Sequence, residues 1–186
     1  MVLRTQLVTA EQFDELMQRP DRGDTIYELI SGEIVEVPSN AYASNIAQLI
    51  GFFIRLFIRE KGIAGFVTGA DGGYQVAGER YAPDVAYISK ARQPELAREG
   101  YNPNPPELAV EVISDETNLE EQRHLRRKIT NYLAAGTIVW VVLPVSQMVE
   151  VHTPGQPLKT LYADDTLDGG DVLPGFQLPV KAIFES

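Results

Sequence analysis

The sequence has no cysteine, only two histidines and a single tryptophan. Without cysteine there is no disulfide framework, no zinc–thiolate centre and no cysteine nucleophile. His124 and His152 alone do not make a multi-histidine zinc site within one chain. Cations are scarce too: 16 Lys and Arg face 26 Asp and Glu, a formal net charge of −10. That balance argues against diffuse, charge-driven adhesion to nucleic acid, which goes with a basic surface, and leaves room only for a local basic patch. No apolar run reads as a bilayer span. The longest, residues 46–58, is interrupted by Gln48, Gly51 and Arg55 and is too short to cross. The first ten residues lack the apolar core of a secretory signal. The expected setting is cytoplasmic, with no membrane partner.

What is present is an ordinary globular composition over 186 residues, 44% hydrophobic and 23% charged. That is too apolar for a disordered chain and long enough for a real core. A single domain is expected over 1–186, with an N-terminal helix and hairpin in 1–40, a core in 41–145 and a turn-rich β tail in 146–186. Thr9 followed three residues later by Gln12 is a capping-box pattern and predicts a helix over 10–18. Residues 20–24 break the chain. Ser31-Gly32 between two short alternating runs predicts a hairpin over 26–37. Ile46, Leu49, Ile50, Phe53, Ile54, Phe57 and Ile58 recur at helical spacing and form the stripe of a core helix. Short strands are expected near 65–68, 73–76 and 84–88, a buried strand over 107–113, a helix over 118–135 ending at Gly136, and a strand over 138–143. The order is α/β in class, with a mixed α+β sheet.

Three stretches carry chemistry. In Pro106-Glu107-Leu108-Ala109-Val110-Glu111-Val112-Ile113, Glu111 falls on the face between Ala109 and Ile113, and both faces are apolar. An ionised carboxylate there is costly unless a metal, Lys or Arg pairs with it; the other reading is a strand-end Glu touching water or a surface Arg. In Ala82-Pro83-Asp84-Val85, an Asp opening an apolar strand is placed either to bind a cation at the sheet's edge or to cap backbone N–H groups in a turn. In the run from Glu120 to Lys128, Lys128 shares a helix face with Leu125 and Tyr132 and is the cation that points inward. Arg123, Arg126 and Arg127 face solvent, either to meet phosphates or to pair with Glu120 and Glu121. Ser114 reads as a cap for the loop before this helix, and the Gly-rich 68–73 segment, lacking a Lys-Ser/Thr ending, as a turn. Two carboxylates on strands and a Lys on the next helix suit magnesium, which takes oxygen ligands and keeps several waters.

Taken in order, Tyr27-Glu28-Leu29-Ile30-Ser31-Gly32-Glu33, Pro83-Asp84-Val85, the Glu107–Ser114 strand, and Lys128 with Tyr132 and Gly136 resemble the Uma-type restriction endonucleases, a branch of the PD-(D/E)XK nuclease superfamily. The likeness runs over nearly the whole chain. It implies a restriction-endonuclease-like core, with Mg2+ (or Mn2+) as cofactor and DNA as partner. It also implies a homodimer, since cutting both strands takes two sites. It matches Asp84 to the Asp of the PD motif and Glu111 to the acidic residue of (D/E)XK, both as metal ligands. Ile113 stands where the superfamily has Lys, and Lys128 takes that role from the next helix. Glu28 matches a Glu of the family's first hairpin. Relatives often carry a His at the start of the 46–58 helix; Tyr42-Ala43-Ser44-Asn45 has none. Two further readings stay open: a nuclease fold that no longer cleaves and serves as a binding or assembly module, and a structural protein in which Glu111 and Lys128 form a buried salt bridge.

Overall fold

The computed structural model describes residues 7–19, 25–37 and 40–185. Helix α1 (Ala10–Met17) opens with the expected capping box: Thr9 Oγ1 accepts from Gln12 N, and Gln12 Oε1 accepts from Thr9 N. The break expected at residues 20–24 lies outside the described residues. Strands β1 (Tyr27–Ile30) and β2 (Glu33–Glu36) form the expected hairpin. Ser31 and Gly32 adopt φ of 54° and 79°, the backbone a two-residue turn needs to match the twist of its strands.

Helix α2 (Ala41–Glu60) buries the predicted stripe, with Ile46, Ile50 and Ile54 fully enclosed. It begins earlier than the stripe because the Asn40 side chain caps it, accepting from Ala43 N at 2.9 Å. The helix is 20 residues long, and an 18-residue window of it has a mean hydropathy of 1.4. In this fold its apolar face is the core helix's contact with the sheet.

Strands β3 (Gly65–Gly69), β4 (Tyr74–Val76) and β6 (Val85–Ser89) fall at the predicted runs. Strand β5 (Glu79–Tyr81) was not expected, since Glu-Arg-Tyr carries no apolar alternation; a tight turn at Ala77-Gly78, both at positive φ, folds it back on β4. Strands β7 (Leu108–Val112) and β8 (Ile138–Leu143) run parallel, with helix α3 (Leu119–Ala134) as their crossover. The α3 cap is Asn118, whose Oδ1 accepts from the N–H groups of Glu120 and Glu121. Ser114 donates to the Glu121 carboxylate. The tail forms β9 (Met148–His152), β10 (Lys159–Leu161), β11 (Thr166–Asp168), β12 (Gln177–Pro179) and a short helix, α4 (Val180–Phe184), that the turn-rich pattern did not foretell.

The main sheet has the order β10-β9-β8-β7-β6-β3 and is mixed, β7–β8 being its parallel pair. A four-stranded sheet, β2-β1-β5-β4, and the β11–β12 pair complete the strands. Leu108, Val110 and Val112 of β7 share a core with α2 and with Phe176 and Ile183 of the tail. Ala109 and Ile113 share the opposite core with Tyr81, Tyr132 and Ile30. Strand β7 is thus covered on both faces, as its sequence requires, and Glu111 lies on the face toward α3.

Candidate active site

Lys128 is the centre of the site. Helical spacing turns it inward, and its Nζ donates to Glu111 Oε2 at 2.7 Å and lies 2.8 Å from Glu28 Oε1. All three side chains are less than a tenth exposed. The amine also sits 5.7 Å from the centroid of the Tyr81 ring, which packs edge-on against Tyr132.

Each carboxylate is fixed by a group from a different element. Glu28, on β1, accepts from Ala82 N at 2.7 Å, which ties the hairpin to the segment just before Asp84. Glu111 Oε1 accepts from the Tyr132 hydroxyl at 3.2 Å, so α3 holds both of its oxygens. Asp84 is half-buried, and its Oδ2 accepts from Val112 N at 2.7 Å. It does cap a backbone N–H, but one 28 residues away on β7 rather than in its own turn. Glu28, Asp84, Glu111 and Lys128 all line one cavity of about 750 Å3 beneath the β1–β2 hairpin.

Two carboxylates, Glu28 and Glu111, share the Lys128 ammonium, and Asp84 lines the same cavity. Burial pushes the Glu111 carboxyl up to about 8; Lys128 opposes this, while Glu28 and Asp84 add to it. Burial likewise pushes Asp84 up to about 6, against the pull of the Val112 N–H and Lys128. Burial works to lower Lys128, but Glu111 and Glu28 outweigh it and hold the amine protonated well above its usual range. An all-oxygen donor set with excess negative charge is what a hard divalent cation requires, so these residues fit magnesium.

The expected phosphate contacts divide. Arg127 is committed to Glu79, with Nε and Nη2 at 2.9 and 2.6 Å from Oε1. Arg123 is committed to Glu33 at 3.0 Å. Both thus pair with acids of β2 and β5 rather than with Glu120 or Glu121, and each would exchange that partner to meet a phosphate. Arg126 is exposed and has no ion-pair partner among the described residues.

Sequence reasoning missed two features. The first is the Glu79 network: its carboxylate accepts from Arg127, Ser31 N and the Tyr81 hydroxyl, and Asn131 donates to Tyr81. It locks α3 beside Lys128, and Arg127 and Asn131 at i and i+4 were the signal for it. The second is a group of Glu33, Glu120 and His124, whose ligand atoms lie within 4.8 Å of one another on the same cavity. Glu120, His124 and Lys128 stand four residues apart on one face of α3, and that spacing could have revealed the group.

A family model described as "Uma2: Putative restriction endonuclease" matches residues 10–181. Among solved structures, "a putative nuclease belonging to DUF820" from Anabaena variabilis matches with a TM-score of 0.79 at 19% identity, over 95% of this chain and 97% of that one. That likeness shows that the two chains share a fold, mixed sheet and flanking helices included. No curated protein matches.

Proposed function

The chain belongs to the Uma2 restriction-endonuclease family, and from that premise we propose that it is a metal-dependent endonuclease of the PD-(D/E)XK type, hydrolysing DNA phosphodiester bonds with magnesium or manganese. The observation that carries this reading is the buried Lys128 amine, within 2.8 Å of two carboxylates in a cavity that Asp84 also lines. Asp84 and Glu111 would hold the metal, which when bound polarises the phosphate and lowers the pKa of water. Lys128 donates to the attacking water or to the phosphate oxygen that gains charge. Glu28 positions Lys128 and the peptide that leads into Asp84. Ile113 occupies the strand position of the superfamily's Lys, and Lys128 reaches Glu111 from α3 instead. Arg126 is the remaining phosphate contact. The test is magnesium-stimulated nicking of a plasmid, lost on chelation.

The second reading, a fold that binds or assembles without cutting, is favoured by one observation: Lys128 already occupies the place of a cation between Glu28 and Glu111. Calorimetric titration separates the two. Heat of magnesium or manganese binding that disappears in Asp84→Asn supports the enzyme, and no such heat in the wild type supports the inactive module.

Two further results are expected of an active enzyme. Tyr132→Phe removes one hydroxyl from a fully buried ring and frees Glu111 Oε1. Magnesium affinity or cleavage rate should fall about ten- to a hundredfold, with the melting temperature little changed. An unchanged metal affinity would remove Tyr132 from the site. The pH dependence has a definite sign. Asp84 and Glu111 are pushed up to about 6 and about 8, so protons compete with metal below those values. Magnesium affinity should rise as pH goes from about 6 to 8, with proton release on binding. An affinity flat across that range contradicts the ligand assignment.

A further inference from the structure

The cavity's outer wall differs from its floor. Seven carboxylates line the whole cavity, against two cations among its lining residues, Arg123 and Lys128. Both cations are already paired, Arg123 with Glu33 and Lys128 with Glu28 and Glu111. Four of the acids, Glu33, Glu36, Glu120 and Glu121, stand outside the proposed metal centre. A divalent ion on the floor leaves their charge in place, and Glu36 and Glu120 are exposed. Among the cavity's lining residues, no Lys or Arg is free of a carboxylate partner. An intact duplex presents one phosphate charge per about 1.7 Å of axis on a stiff frame, and it depends on cationic contacts for binding. One strand alone carries half that density and can turn its flanking phosphates away from the rim.

Size and polarity agree with charge. Glu28, Glu111 and Lys128 are less than a tenth exposed, so the scissile phosphate has to enter the cavity to meet them. Its volume of about 750 Å3 lies within the roughly 300–1,000 Å3 of small-ligand pockets, room for a nucleotide or two. The hairpin wall carries apolar side chains, Ile34, Val35 and Val37, beside Glu28, Glu33 and Glu36, and Leu125 adds to them from α3. Unstacked bases have flat apolar faces to lay against such a wall; in a duplex those faces are hidden.

We infer that the DNA accepted here is unpaired, a single-stranded or frayed stretch rather than an intact duplex, which rests on the endonuclease reading above. The test uses the full chain with magnesium or manganese and one labelled oligonucleotide in three forms: alone, in a blunt duplex, and in a duplex with a single-stranded tail. The free strand and the tail should be cut at least about tenfold faster than the blunt duplex. Binding to Asp84→Asn, followed by fluorescence anisotropy, should show the same order without any cutting. The salt slope of log affinity for the free strand should be shallow, about −0.7 for a single phosphate contact. Glu36→Lys combined with Glu120→Lys, both at exposed positions, should bring duplex cutting toward that of the free strand and steepen the salt dependence. Blunt duplex cut internally as fast as the free strand, or bound as tightly by Asp84→Asn, overturns the inference and leaves the endonuclease reading intact. Failure of every form to be cut with either metal overturns that reading, and the inference with it.

Discussion

Replacing Lys128 with alanine should destabilise the metal-free protein by about 3–5 kcal/mol and reduce magnesium-dependent cleavage by about two to three orders of magnitude. The stability loss comes from Glu28 and Glu111, which stay buried after their shared counter-charge is removed. Part of it should return on adding magnesium, because a cation on the cavity floor neutralises the same carboxylates. The loss should also be smaller near pH 6 than near pH 8, since Glu111, already pushed up to about 8, then escapes its charge by taking a proton. Urea unfolding with and without magnesium at the two pH values measures all three effects. A deficit of the full size that magnesium leaves untouched would mean that Lys128 serves packing alone and that no metal comes to this cavity.

Asp84→Asn and Glu111→Gln should have the opposite signature. Each keeps its side chain's shape: the Asn offers an oxygen to the Val112 N–H, and the Gln offers its oxygen to Lys128 Nζ while its amide N–H donates to the Tyr132 hydroxyl. Each removes one negative charge from a site with three carboxylates and one ammonium. Metal-free stability should therefore hold or rise, while magnesium binding and nicking fall at least about a hundredfold. If Glu111 and Lys128 were only a structural salt bridge, Glu111→Gln would instead weaken the fold, although Glu28 at 2.8 Å retains part of the pairing. Thermal melts beside nicking assays on the same preparations distinguish these cases. Activity undiminished in both variants ends the assignment of Asp84 and Glu111.

The β-strand period and the helical stripe, both local, were legible. Alternation along residues 108–113 put Glu111 on a buried face, and the spacing of Leu125, Lys128 and Tyr132 turned the amine inward. The capping box at Thr9 and the Ser31-Gly32 hairpin were equally plain, because backbone hydrogen bonds between near neighbours depend on near neighbours only. Strand β5 was not legible: Glu79 and Arg80 look like a polar loop until Asp14 and Arg127 arrive from elsewhere to pair with them. For the same reason Arg127 read as free for phosphate.

By itself, then, the sequence determined which side chains had to be buried and which of those carry charge, along with the family whose motifs they match. Only the tertiary structure decided who meets whom. Glu28 lies 100 residues from Lys128, and Asp84 lies 28 from the N–H that fixes it. Such meetings follow from the pairing of β1 with β5, of β6 with β7, and from the α3 crossover between β7 and β8. Burial is written in a residue's own neighbourhood through periodicity, whereas the partner of a buried charge is set by distant segments that only the closed sheet brings within hydrogen-bond reach.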